Sequence, residues 1–160
     1  MQQNIKGWYE FLDKPLAYTS YYTDPKKILS INIESIYVDW RKTSVRMEGI
    51  LPDFPDTPPE RWKIQGYDGA RIELVWDFFN EFSIKDNMER SKVYGPIAKH
   101  IQVRYPNKVD IQMEKLEDGH IQAIAEADNF RLRVTCGDMR VSSMSGYIKD
   151  REAAFFGVRV

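Results

Sequence analysis

Between Ile28 and Trp40 apolar and polar residues alternate, and the alternation changes phase once. Leu29, Ile31 and Ile33 occupy one phase, and Ile36, Val38 and Trp40 occupy the other, with the slip at Glu34-Ser35. In a strand, successive side chains point to opposite faces, so a slip of one residue turns half of the apolar set toward water. A β-bulge removes the conflict, and the spacing therefore predicts a bulged strand with Ile33 and Ile36 both on the core face. Arg41-Lys42-Thr43 is a polar turn, after which Val45, Met47, Gly49 and Leu51 alternate again. Together the two runs predict a hairpin.

The same period recurs downstream. Ala70, Ile72, Leu74 and Trp76 share one face, and Val75 breaks the polar side, which points to a central strand. Residues 78–84 read as a turn and a short strand. Val109, Ile111 and Met113, then Ile121, Ala123 and Ala125, then Phe130, Leu132, Val134 and Cys136 form three more alternating runs. Turn signals at Glu117-Asp118-Gly119, Asp128-Asn129 and Gly137-Asp138 separate these runs from each other and from a final strand over Met139, Val141, Tyr147 and Ile148. Short turns between strands predict antiparallel neighbours, a meander with one face buried. Residues 86–105 read either as a helix, from the spacing of Val93, Ile97 and Ile101 broken by Gly95-Pro96, or as a strand from Ile97 to Tyr105, with Pro106-Asn107 as a turn. Pro52 to Gly69 reads as a long loop, because four prolines exclude a central strand, and Trp62 in it is expected to fold back onto the sheet. The N-terminal segment carries Trp8, Phe11 and Leu12 at helical spacing up to Pro15, then Tyr18, Tyr21 and Tyr22, and is expected to pack aromatics on the sheet edge. Phe155 and Phe156 in the tail argue for docking.

With 160 residues the expectation is one domain, 1–160, with a core over about 28–148 and peripheral ends. The fold class is mainly β: an antiparallel meander sheet with one or two short helices. A formal charge of −1 leaves no global footprint for nucleic acid. No apolar run of about 18 residues marks a membrane span, no secretory leader is apparent, and a lone cysteine suits a reducing compartment, so the expected location is the cytosol.

Chemistry is sparse. His100 and His120 lie in polar contexts, and Cys136 falls on an apolar strand face, where a thiol is inert. One cysteine and two distant histidines do not make a zinc motif, and no phosphate-cradling glycine loop is present. No catalytic residue, metal or cofactor is expected. Arg131 and Arg133 share a strand face and, with Lys115, are candidates for a basic patch. The proline-rich loop is locally acidic through Asp53, Asp56 and Glu60, with Arg61 and Trp62 closing it. Loops on a rigid sheet are common binding surfaces, so Asp53, Asp56, Glu60 and Arg61 are the candidate partner-binding residues.

An Ile-rich alternating strand, a second strand, a Pro-Pro-x-x-Trp element and a strand leading into an aromatic Phe-Ser-Ile segment follow one another in this chain. This order, carried by Ile31, Ile36, Val38, Pro58, Pro59, Trp62, Ile72, Leu74, Phe79, Phe82 and Ile84, resembles the immunity protein 50 family of bacterial polymorphic toxin systems. The resemblance spans roughly Ile28 to Ile148 and contains no catalytic signature. It implies a non-catalytic cytosolic protein that binds and neutralises a cognate toxin domain. Two other classes compete with it: a small-ligand-binding domain or small enzyme using the concave sheet face, and an oligomerisation module.

Overall fold

The phase change in the first strand is a β-bulge. The computed structural model describes residues 8–24, 30–86, 91–94, 98–127 and 130–150. In it, β1 (Ser30–Asp39) pairs with β2 (Ser44–Ile50) on one side and with β6 (Ala98–Lys115) on the other, and both registers shift between Ile33 and Ser35. Ile31, Ile33, Ile36 and Val38 are consequently all buried. Each large apolar side chain kept from water stabilises by about 1.5–3 kcal/mol, against about 1 kcal/mol for a ladder hydrogen bond given up at the bulge. Burial decides the register.

The irregularity is wider on β6. Ile33 faces Asn107 and Ser35 faces Gln102, so two steps along β1 match five along β6. Pro106-Asn107, expected as a turn, lies in this bulged part of the strand. A proline has no N–H to give to a ladder, and a bulge is where a strand tolerates one. Of the two readings of residues 86–105 the strand holds among the described residues: β6 runs from Ala98 through Tyr105, and β5 (Ser91–Tyr94) pairs with its start.

Strands β3 (Gly69–Asp77), β4 (Glu81–Asp86), β7 (Ile121–Ala127), β8 (Phe130–Cys136) and β9 (Asp138–Tyr147) complete one antiparallel sheet. Its order is β4-β8-β7-β6-β1-β2-β3-β9, with β5 on β6 beside that path. The expected meander holds for β1-β2-β3 and for β6-β7-β8. It does not hold at Gly137, where a reversal was expected: β9 pairs with β3, not with β8. Likewise β3 runs on through residues 78–80 into β4, which pairs with β8. The two ends of the strand order are thus joined by one ribbon, β3–β4 against β9–β8, and the sheet wraps on itself as a barrel-like wall. Gly137 N donates to Asp77 O at 3.0 Å and Asn80 N to Thr135 O at 2.9 Å, so pairing continues around the corner. The reason is burial. A sheet this wide with one apolar face covers that face most completely by curling, and corners are turned at bends in long strands. Leu132 and Val134 of β8 accordingly share a single apolar cluster with Ile72 and Leu74 of β3.

The N-terminal segment fills the concave side. The helical spacing of Trp8, Phe11 and Leu12 takes the form of a short 3-10 helix (Trp8–Phe11), and a second short helix, α1 (Leu16–Thr19), follows Pro15. Trp8 and Tyr18 are fully buried, Tyr9, Leu12 and Tyr22 nearly so, and the Trp8 and Tyr18 rings sit 4.5 Å apart. Asp13 N donates to Met139 O at 2.8 Å, which anchors the segment at the start of β9. These N-terminal aromatics belong to the same apolar cluster as the inward-facing residues of the sheet.

Two smaller outcomes concern single positions. Trp40, placed on the apolar phase, lies past the end of β1 and is 46% exposed. Val75 is buried, with Arg46 and Arg140 as its cross-strand neighbours. The turn at 117–119 closes as a hairpin, with Leu116 N donating to His120 O at 2.8 Å and Gly119 at φ 91°. Asp128-Asn129, Phe155 and Phe156 lie outside the described residues. Among the described residues no helix is long and apolar enough to cross a membrane.

Candidate functional site

The proline-rich segment is more ordered than a loop. Its second half is helix α2 (Glu60–Gln65), started by Pro59 and ended by Gly66 in the left-handed conformation at φ 70°. Proline at a helix start and glycine just past its end are an established stop-and-start pair, and both residues were legible in the sequence. Trp62 is buried, as expected, and its ring lies 5.3 Å from Tyr21, 6.1 Å from Phe54 and 6.3 Å from Tyr67.

The first half is tied to the N-terminal segment. Tyr22 Oη donates to Asp53 O at 2.7 Å, Thr23 N to Asp56 Oδ1 at 2.8 Å, Thr57 N to Tyr21 O at 3.1 Å and Thr57 Oγ1 to Ser20 O at 2.9 Å. Hydrogen bonds from Thr23, its hydroxyl first and its backbone N–H next, hold the Asp56 carboxyl below the ordinary carboxylate range. Asp53, Asp56, Glu60 and Arg61 are all exposed on this one segment. Asp53 and Asp56 lie against Tyr22 and Thr23, while Glu60 and Arg61 open α2, with Glu60 facing Lys63 Nζ at 3.8 Å. Asp56 therefore has a structural duty, whereas Asp53 is exposed and Glu60 is exposed beside Lys63.

The remaining candidates separate. Arg131 pairs with Glu126 at 2.9 Å. Lys115 pairs in register with Ile121, which pairs with Cys136, at the far end of β8 from Arg131, so these residues form no common patch. Cys136 is fully buried, and burial, with the nearby charges of Asp138 and Asp77, pushes its thiol up to about 12. His120 Nδ1 stands 3.0 Å from Asp118 Oδ2 on the 117–119 hairpin. The side chain of His100 lies outside the described residues. Among the described residues no group of three His, Cys, Asp or Glu side chains is arranged to hold a metal ion.

A second feature lies at the ribbon corner and was not foreseen. An open cleft of about 540 Å³ runs between the β1–β2 turn, which contributes Trp40 and Thr43, and residues 79–83 at the start of β4, with Arg133 of β8 also lining it. Trp40, Phe79 and Phe82 form a triangle of edge-to-face rings with each pair of centroids 6.3 Å apart. Phe79 N donates to Thr43 O at 3.1 Å and ties the two walls together. The local signal, Phe78-Phe79-Asn80-Glu81-Phe82, was visible as a turn and strand. That Trp40 would stand against it depends on the curl of the sheet.

Comparison with protein-family models, with curated proteins and with solved structures gives no match to this chain.

Proposed function

We propose that this chain is a non-catalytic inhibitor of the immunity type, which binds one cognate bacterial toxin domain in the cytosol and blocks it. The observation that carries the reading is the preorganised acidic loop: four hydrogen bonds, two through its backbone and two through its side chains, fix it to the N-terminal segment, while Asp53 and Glu60 are exposed. A loop already held in its bound shape loses little conformational entropy on docking. Exposed carboxylates on such a loop suit a basic partner surface, and toxins that act on nucleic acid carry one around their active sites. The order of strands and the Pro58-Pro59-x-x-Trp62 element, similar to the immunity protein 50 family, support the same reading.

The test looks for a toxin gene beside this one and uses the domain it encodes in a kinetic binding assay at two ionic strengths. Asp53→Lys with Glu60→Lys is the informative pair, since Asp56 also holds Thr23. The double variant is expected to associate more slowly at low salt and to lose most of its salt dependence, because rim charges act mainly on the association rate. Association as fast as the parent's at low salt overturns the role of the loop. The absence of any toxin gene beside this one, or a parent chain that neither binds nor blocks the encoded toxin, overturns the reading itself.

A further inference from the structure

We propose that the corner cleft is a docking groove for an extended segment of a partner protein, one presenting a carboxylate beside an apolar side chain. This site is separate from the acidic loop. The loop follows the end of β2 at Ile50, and the cleft lies at its start beside Ser44, so about 20 Å of strand separates them.

The backbone comes first. β4 ends the strand order and pairs only with β8, so among the described residues its outer edge is open. The cleft is lined by Asn80, Glu81, Phe82 and Ser83 in succession. Arg133, which pairs in register with Ser83, lines it too, so the cleft reaches across β4 from its open edge toward β8. An open edge offers N–H and C=O groups to an added strand, and main-chain pairing of this kind is a common mode of peptide recognition.

The side chains then select the occupant. Trp40 and Phe78 are 46% and 65% exposed, an arrangement that leaves large aromatic surface in water beside the groove. Such surface suits an apolar side chain of the guest. Arg133 is exposed and, among the described residues, has no carboxylate partner, whereas Arg71, Arg131 and Arg140 each have one. Among the lining residues Arg133 is the one cation and Glu81 the one carboxylate, while Arg41 and Lys42 in the turn and Lys85 on β4 are exposed outside the lining. Asp39, which adjoins the turn, already accepts the backbone N–H groups of Arg41 and Lys42 through Oδ1. Arg133, exposed and without a carboxylate partner among the described residues, is the group that a guest carboxylate would meet.

The backbone strain points to the same place. Among the described residues, Thr43 at φ 50° and Phe78 at φ 57° are the only non-glycine residues with positive φ. Both stand at this corner. A left-handed conformation is unfavourable for a β-branched or bulky residue, and strained backbone of this kind collects at binding sites, where it fixes a geometry in advance.

A phage-displayed library of short random peptides, panned on the whole chain, tests the proposal. Enriched peptides are expected to carry Asp or Glu next to an apolar residue. Their affinity is expected to fall about tenfold or more with Arg133→Glu and with Trp40→Ala, as for residues central to an interface. Both side chains are exposed, and melting curves matching the parent's verify that the variants are folded. N-methylation of alternate peptide amides tests the added strand without altering the protein, and is expected to abolish binding. Failure to enrich any peptide, enrichment of basic peptides, equal binding by both folded variants, or indifference to N-methylation each overturns the proposal.

Discussion

Glu48 and Glu73 stand directly opposite each other on the convex face of β2 and β3. Partial burial, then a hydrogen bond with Glu73 and its charge, raise the Glu48 carboxyl above its ordinary value, while the Ser35 hydroxyl works against the rise. Ser142 donates to Glu73, and Arg71 pairs with Glu34 at 3.0 Å, so the patch is only partly neutralised. The folded protein holds the Glu48 proton more tightly than the unfolded chain does. Stability from this group is therefore full below the unfolded carboxylate value and falls as pH rises through the raised one. Glu48→Gln is expected to raise stability near neutral pH by about 0.2–1 kcal/mol, the size of a cross-strand like-charge contact. The gain should vanish in mildly acidic buffer, below about pH 4, where the carboxylates are protonated. Melting temperatures of parent and variant across that range check it, and a gain independent of pH would assign the effect to packing.

At the scale of elements, the bulge in β1 depends on a glycine in its partner. Gly49 faces Ile33 in register, at the step where the pairing shifts. A Cβ at Gly49 would come within 2.4 Å of Ile31 Cγ2 and 2.8 Å of Asn32 O. The side chain has other rotamers, but the carbonyl belongs to a backbone held on both sides. A glycine inside a strand marks such a close approach. Gly49→Ala is expected to cost about 1–3 kcal/mol, the range for overpacking a well-packed site. Denaturant midpoints measure it. A variant as stable as the parent would show that β1 shifts freely and that the bulge is not locked by its neighbour.

At the scale of the whole molecule, the joined ribbon makes opening of the wall a collective event. Cys136 reports on it, because it precedes the corner glycine, is fully buried and belongs to the common apolar cluster. Its thiol is raised to about 12, so it reacts with a thiol reagent only when the corner opens. Labelling of the native protein is expected to be slow and to accelerate in step with denaturant-induced unfolding. Rapid, complete labelling under native conditions would show that the corner opens on its own, separately from the rest of the wall.

The division between what was legible and what was not follows the range of the interactions. Alternation is a local property, so the runs at 28–40, 45–51, 70–76, 109–113, 121–125 and 130–136 marked their strands, and the slip at Glu34-Ser35 marked its bulge. Burial of Trp62 was legible for the same reason, since a large aromatic just after a run of prolines on a sheet has few places to go except the core. Pro59 and Gly66 carried the helix as well, but the density of prolines hid it. Gly137-Asp138 is another matter. The same dipeptide serves a reversal or a bend, and only competition among distant strands for the edge of β3 decides between them. That choice joined the two ends of the sheet, set Trp40 against Phe79 and Phe82 to make the cleft, and left the N-terminal aromatics to fill the concave face. Period and composition determined which residues face inward; the tertiary structure alone decided which strands meet, because pairing energy is gained between segments whose separation along the chain leaves no local trace.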